Sequence, residues 1–316
     1  MTERESIRFF SDGQRLDGEL WYPPSSSPSP AIVIACSGYL GLKSLQPARF
    51  ARALVPQGYG CLCFDYRGFG FSDGERGRLL PVEQVEDIRA AVDYLRTRDD
   101  TAAYPLVLLG WGLGGALVIA EAAQDARIAA VVALNAIADG YRTTRALHDD
   151  VSWARLMERL EQDRLERVRY GRSALIPAFE LVRLRGLTLD YVEAELSKDP
   201  TFGFPITCQA SEHLLRFSVE HLVGRIAPRP LFLAHGTAND LYSPKEAQRL
   251  YDLAGEPREL HLLEGAGHSE WMHDGHETLQ QLTELITDFL QRSVPVDSDG
   301  HPGGSADRLY EPGRTL

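Results

Sequence analysis

Cysteine is scarce in this sequence, with four in 316 residues. None of them has zinc-site spacing, and Cys61 and Cys63 alternate along an apolar run where they read as small core residues. A disulfide scaffold and a structural metal centre are therefore not expected, and neither a metal nor a cofactor is called for. There is no apolar run of about 18 residues and no charged-then-apolar leader at Met1. A membrane partner and a secretory signal are accordingly not expected, and a cytoplasmic location is. Positive charge is also in short supply: 33 Lys and Arg against 45 Asp and Glu give a net charge of −12. Phosphate binding needs a basic patch, so nucleic acid is not an expected partner.

Apolar residues make up 44% of the chain. They fall into short apolar strands alternating with helical runs, which predicts an α/β fold with a mostly parallel sheet covered by helices on both faces. The most informative stretch is 106–123, a buried strand running through a tight glycine turn into an apolar helix. The turn, Gly110-Trp111-Gly112-Leu113-Gly114-Gly115, fits two patterns. One is G-x-G-x-x-G, the dinucleotide fingerprint; the other is G-x-S-x-G with glycine in the serine slot. A dinucleotide loop follows the first strand of its domain and has an acid at the end of the next strand. Here at least two strand signals come earlier, and the next strand, 128–134, ends at Asn135. The nucleotide reading is the weaker one.

Four more segments point the same way. Ala31 to Gly41 is an apolar strand breaking into a glycine-bearing loop, and Gly60 to Gly74 contains F-D-x-R-G-x-G-x-S. Pro230 to Asp240 ends in His-Gly-Thr-Ala-Asn-Asp, and Leu262 to His268 ends in Gly-Ala-Gly-His. In this order, over 31–268, the motifs closely resemble the α/β-hydrolase superfamily. The opening, Phe9 to Pro23, is similar to the N-terminal hairpin of its dienelactone-hydrolase-like and acyl-peptidase-like branches.

The resemblance implies a site. In such enzymes an elbow serine attacks an acyl carbon, a histidine shuttles the proton and an acid orients the histidine. Backbone N–H groups hold the oxyanion. Carried onto this chain, the oxyanion donors are the amides of Tyr39 and Leu113, and the histidine is His268. The nucleophile position is Gly112, which has no side chain. The acid position is Asn239, with Asp240 one step on and Asp139, after the sixth strand, as a further substitute. Asn239 could accept the histidine Nδ1–H, although an amide stabilises imidazolium poorly. A weakly perturbed imidazole at 268 would place an activity inflection at about pH 6–7.

Ser37, Trp111 and Asp139 are candidate pocket residues. Cys36 and Ser37, at the end of the third strand, are poor nucleophiles, and Tyr39 reads as a pocket wall. His273 and His276 flank a helix start and read as solvated, not as metal ligands. Residues 1–139 and 224–293 form the expected core, 140–223 a helical cap without strand signals, and 294–316 a flexible tail. Helices are expected near 44–57, 84–97, 113–124 and 276–292 in the core, and over 153–167, 187–198 and 211–223 in the cap.

Oxyanion donors and a histidine without a nucleophile cannot form an acyl-enzyme. They can stabilise an enolate while His268, or a group on the substrate, moves a proton. This favours a non-hydrolytic enzyme of isomerase, epimerase, lyase or cyclase type acting on a carbonyl-containing small molecule or peptide-like biosynthetic intermediate. A serine-type ester, amide or C–C hydrolase whose nucleophile has been lost or replaced, and a non-catalytic binding protein, remain alternatives. A homodimer is one possible assembly.

Overall fold

The computed structural model describes residues 3–24 and 29–294. Glu3–Ser11 (β1) and Gln14–Tyr22 (β2) form the expected antiparallel hairpin, from Glu3 opposite Tyr22 to Ser11 opposite Gln14. Buried and exposed residues alternate at the end of β1, as they should in a strand with one face in water. The rest of the core alternates strand and helix: Ile32–Cys36 (β3), Gln46–Leu54 (α1), Gly60–Phe64 (β4), Pro81–Arg96 (α2), Leu106–Trp111 (β5), Leu113–Ala122 (α3) and Ile128–Leu134 (β6). β3, β4 and β5 are buried throughout because helices cover both faces of the sheet.

An inserted segment follows β6. It comprises Gly140–Ala146 (α4), Asp150–Tyr170 (α5), Leu175–Ile176 (β7), Ala178–Leu181 (α6), Gly186–Ala194 (α7), Ile206–Thr207 (β8) and Cys208–Arg216 (α8). The core then resumes with Leu231–Gly236 (β9), Lys245–Leu253 (α9), Arg258–Leu263 (β10) and Glu277–Ser293 (α10). The main sheet has the order β1-β2-β4-β3-β5-β6-β9-β10. It is parallel from β4 to β10, with β1 and β2 as the antiparallel edge.

α3 lies on β5 and β6 beneath α2 and is buried all round, which explains why Glu121 is its one charged residue. Its buried Glu121 is neutralised by Arg89 of α2 at 2.9 Å. α10 has the amphipathic pattern instead, burying Leu279, Leu282, Ile286 and Phe289 against α1 and β6. The F-D-x-R-G-x-G-x-S segment is scaffold. Asp65 accepts hydrogen bonds from the Lys43 amide at 2.7 Å and its Nζ at 2.8 Å, while Arg67 Nε donates to Asp87 at 2.8 Å.

The inserted segment departs from the expected pattern in three places. β7 and β8 pair antiparallel, a two-residue ladder too short for periodicity to register. The run expected over 187–198 breaks after Ala194 and ends in a 3₁₀ turn, Leu196–Lys198. The run over 211–223 starts three residues earlier, at Cys208, and stops at Arg216. There Phe217 turns extended and Ser218 bridges back to Asp139. Residues 295–316, nearly all of the expected tail, lie outside the described residues, as do residues 25–28 of the loop after β2.

Candidate active site

The elbow sits at the C-terminal end of β5, where open parallel sheets place their ligand crevice. Gly112 caps α3 with φ 57° and ψ −118°, a conformation L-residues rarely adopt. Its packing differs from that of its neighbours. A Cβ on Gly110 would stand 2.1 Å from the Gly114 carbonyl oxygen, and one on Gly114 would stand 2.3 Å from the Ser37 oxygen. Close approach therefore demands glycine at both. The atoms nearest to a Cβ on Gly112 would be His268 Cε1 and Tyr242 Cε2 at 3.7 Å and His268 Nε2 at 3.8 Å, which is ordinary contact. The slot has room for a Cβ, and the histidine stands over it.

The loop after β3 closes against the elbow at Gly38, where a Cβ would lie 2.5 Å from the Trp111 carbonyl oxygen. Gly38, Tyr39, Gly112, Leu113 and His268 line a single small cavity of about 60 Å³. Leu113 is the first residue of α3, so its N–H has no intrahelical acceptor and is available to a ligand. The Tyr39 ring reaches into the inserted segment, with its hydroxyl donating to the Ala178 carbonyl at 2.7 Å. Burial raises that phenol's pKa well above the ordinary value, so it is a neutral tether. Trp111 packs under the histidine, with ring centroids 5.5 Å apart, and edge-on to Trp271.

His268 is 7% exposed. Burial, then the neighbouring His235 imidazole, push its pKa down to about 3, not the ordinary value expected from sequence. Its partner is Asn239, whose Nδ2 stands 3.1 Å from His268 Nδ1. The Asn239 oxygen is already taken, since it accepts the Leu241 and Tyr242 backbone N–H groups at 3.0 and 2.9 Å. Asn239 therefore faces the histidine as a donor, contrary to the expectation that it would accept Nδ1–H.

The other acid candidates lie elsewhere. Asp240 turns to the inserted segment, where Thr188 Oγ1 donates to it. Asp139 caps α4, accepting the Arg142 amide at 2.7 Å. Ser37 and Cys36 are each 1% exposed, and burial drives the Cys36 thiol pKa up. His276 caps α10 and packs on His273, and no cluster of potential metal ligands occurs among the described residues.

Three contributors were not singled out from sequence. Asn135, with φ 47°, donates to the His268 carbonyl at 2.9 Å and accepts the Gly236 N–H at 3.0 Å, tying β6 to β9 and the histidine loop. Tyr242 packs edge-on to His268 with centroids 5.0 Å apart. His235 is fully buried in β9, with Nε2 3.2 Å from Asn239 Nδ2 and 3.0 Å from the Tyr242 carbonyl oxygen. A polar ring in an otherwise apolar strand was the available signal.

The model of the serine aminopeptidase S33 family matches residues 27–274. The chain belongs to this family. Polyketide transferase ATR5 of Stachybotrys chlorohalonatus (strain IBT 40285) is 28% identical over 301 residues, covering 91% of this chain and 98% of that protein. Quorum-quenching protein AidA of Acinetobacter baumannii (strain MDR-ZJ06) is 32% identical over 172 residues. That match spans 54% of this chain and 56% of the relative's length. The crystal structure of α/β-hydrolase GrgF from Penicillium sp. sh18 superposes with a TM-score of 0.76 at 23% identity, over 92% of this chain and 99% of that one. It fixes the shared fold. Among the described residues of this S33 member, no helix is long and apolar enough to cross a membrane.

Proposed function

We propose that this S33-family chain is a biosynthetic enzyme that transforms a carbonyl-containing small molecule, of polyketide type, without forming an acyl-enzyme. One observation carries the reading. The elbow holds glycine, so the position over which His268 stands offers no hydroxyl or thiol for attack. Leu113 and Tyr39 line the same cavity, and their amides would suit an oxygen on which negative charge develops. Isomerisation, retro-aldol-type cleavage and cyclisation all pass through such an oxygen. The similarity to a protein named polyketide transferase, over nearly the full length of both chains, favours an enolisable ketide as substrate.

In this reading residues 140–223 act as a cap over a core of 1–139 and 224–293. Phe179, Val182, Leu184, Val192 and Phe202 of the insertion line the cavity together with Gly112 and His268. A volume of about 60 Å³ holds roughly two waters, so a ketide enters only when those side chains move.

The experiment is incubation in D₂O with the N-acetylcysteamine thioester of acetoacetate. Deuterium uptake at the α-carbon above the buffer rate, with the thioester intact, is the expected result. Release of free thiol as the main reaction would overturn the reading. A second reading, a hydrolase that has lost its nucleophile, is favoured by the room above Gly112. It predicts that Gly112→Ser combined with Asn239→Asp cleaves p-nitrophenyl esters.

A further inference from the structure

We propose that Asn239 locks His268 in the tautomer carrying its proton on Nε2, so the imidazole meets the substrate as a hydrogen-bond donor and not as a base. The proposal deepens the reading above and rests on it only for the nature of the oxygen that receives the bond.

The argument starts at the backbone. Two main-chain N–H groups, of Leu241 and Tyr242, donate to Asn239 Oδ1. Backbone amides have no alternative protonation state, so they fix which end of the side-chain amide is oxygen. Turning the amide over would abandon both bonds and oppose N–H to N–H. The nitrogen end, which carries only protons, is thereby left facing His268 Nδ1 at 3.1 Å. Nδ1 must then be the acceptor, and a neutral imidazole with an unprotonated Nδ1 carries its hydrogen on Nε2. The ring is neutral because it is buried beside another imidazole, and neither His268 nor His235 has a carboxylate bonded to it among the described residues.

An aspartate at 239 would produce the opposite result. One carboxylate oxygen would satisfy the same backbone donors while the other accepted Nδ1–H, leaving the Nε2 lone pair free to take a proton. Asn239 reverses the ring at the far end just as Gly112 removes the hydroxyl at the near end. The two departures remove the two halves of one chemistry, the nucleophile and the base that activates it.

What they leave is a third donor. His268 Nε2 lies 3.8 Å from the point where a Gly112 Cβ would stand, beside the cavity that Leu113 and Tyr39 also line. Such a site takes an oxygen that accepts hydrogen bonds and carries growing negative charge, as in the enolate of a 1,3-dicarbonyl. No proton leaves Nε2, because that would create an imidazolate. A neutral imidazole can polarise a carbonyl in this way. The proton removed from the substrate carbon then goes to the substrate's own groups or to solvent.

The test needs no substrate. Protein labelled with ¹⁵N-histidine is examined by two-bond ¹H–¹⁵N correlation, with His268 assigned by the signal lost in His268→Gln. The expected spectrum shows His268 with a protonated Nε2 and an unprotonated Nδ1, unchanged between pH 5 and pH 8. In Asn239→Asp the proton should move to Nδ1; if that variant does not fold, the wild-type spectrum decides alone. An Nδ1–H tautomer or an imidazolium in the wild type overturns the proposal. Thiol release in the deuterium experiment would instead overturn the reaction class and leave the tautomer standing.

Discussion

Asn239 Nδ2 faces His268 Nδ1 at 3.1 Å as a donor, in the place where a hydrolase of this fold presents a carboxylate acceptor. The turn that holds residue 239 offers the same two N–H groups to an amide oxygen as to a carboxylate oxygen.

If His268 acts as a donor, its substitutions should separate. His268→Gln keeps an N–H group and should retain deuterium-exchange activity on the acetoacetyl thioester within about tenfold of wild type. His268→Ala should lose about 10²–10³, the usual cost of deleting an oxyanion donor. Equal losses in both variants would point to a base. The measurement is the initial rate by NMR.

The histidine also sets a pH dependence of stability. Unfolded, the imidazole binds its proton near pH 6.5; folded, only near pH 3. Between those values the unfolded state holds more protons, so stability rises with pH across the window and falls on acidification. Each pKa unit is worth about 1.4 kcal/mol, and His235, also lowered by burial, adds in the same direction. Urea denaturation at pH 7 and pH 4.5 should show the loss, and His268→Gln should shrink it. Activity should show no inflection from His268 near pH 6.5.

The elbow glycines should differ sharply in tolerance. Gly112→Ala places its Cβ in ordinary contact and suffers only the positive φ, about 1–3 kcal/mol. Gly110→Ala drives its Cβ to 2.1 Å from a backbone oxygen and should prevent normal folding. Melting temperatures and soluble yield distinguish the two. Equal behaviour would mean that the elbow relaxes more than its packing implies.

Ligand protection should be local. Phe179, Leu184, Val192 and Phe202 line both the small cavity over Gly112 and an adjoining one of about 380 Å³. A bound acetoacetyl thioester should therefore slow hydrogen exchange across 178–202. α5 contributes no residue to either cavity and should be unaffected. Protection centred on α5 would place the ligand elsewhere.

Much of this was legible in the residues themselves. Apolar strands bounded by glycine loops identify a parallel sheet under helices because burial on both faces leaves a signature that needs no tertiary knowledge, as β3 to β6 show. The glycine pattern at 110–115 and the loop ending in His268 placed the elbow and the histidine, since each depends on local backbone geometry. The inserted segment was legible only coarsely. Its helices are amphipathic, but where they break depends on contacts such as the Asp139–Ser218 bridge.

The sequence alone determined that residue 112, the expected nucleophile position, offers no side chain, for no fold can give glycine a reactive atom. It also determined that residue 239, the expected acid position, carries an amide. Only the tertiary structure decided what that amide does, because an asparagine side chain both accepts and donates. Its direction is set by two backbone N–H groups fixed by the turn after β9. Burial then decided the charge of His268, a property of what surrounds the ring that its place in the chain does not carry.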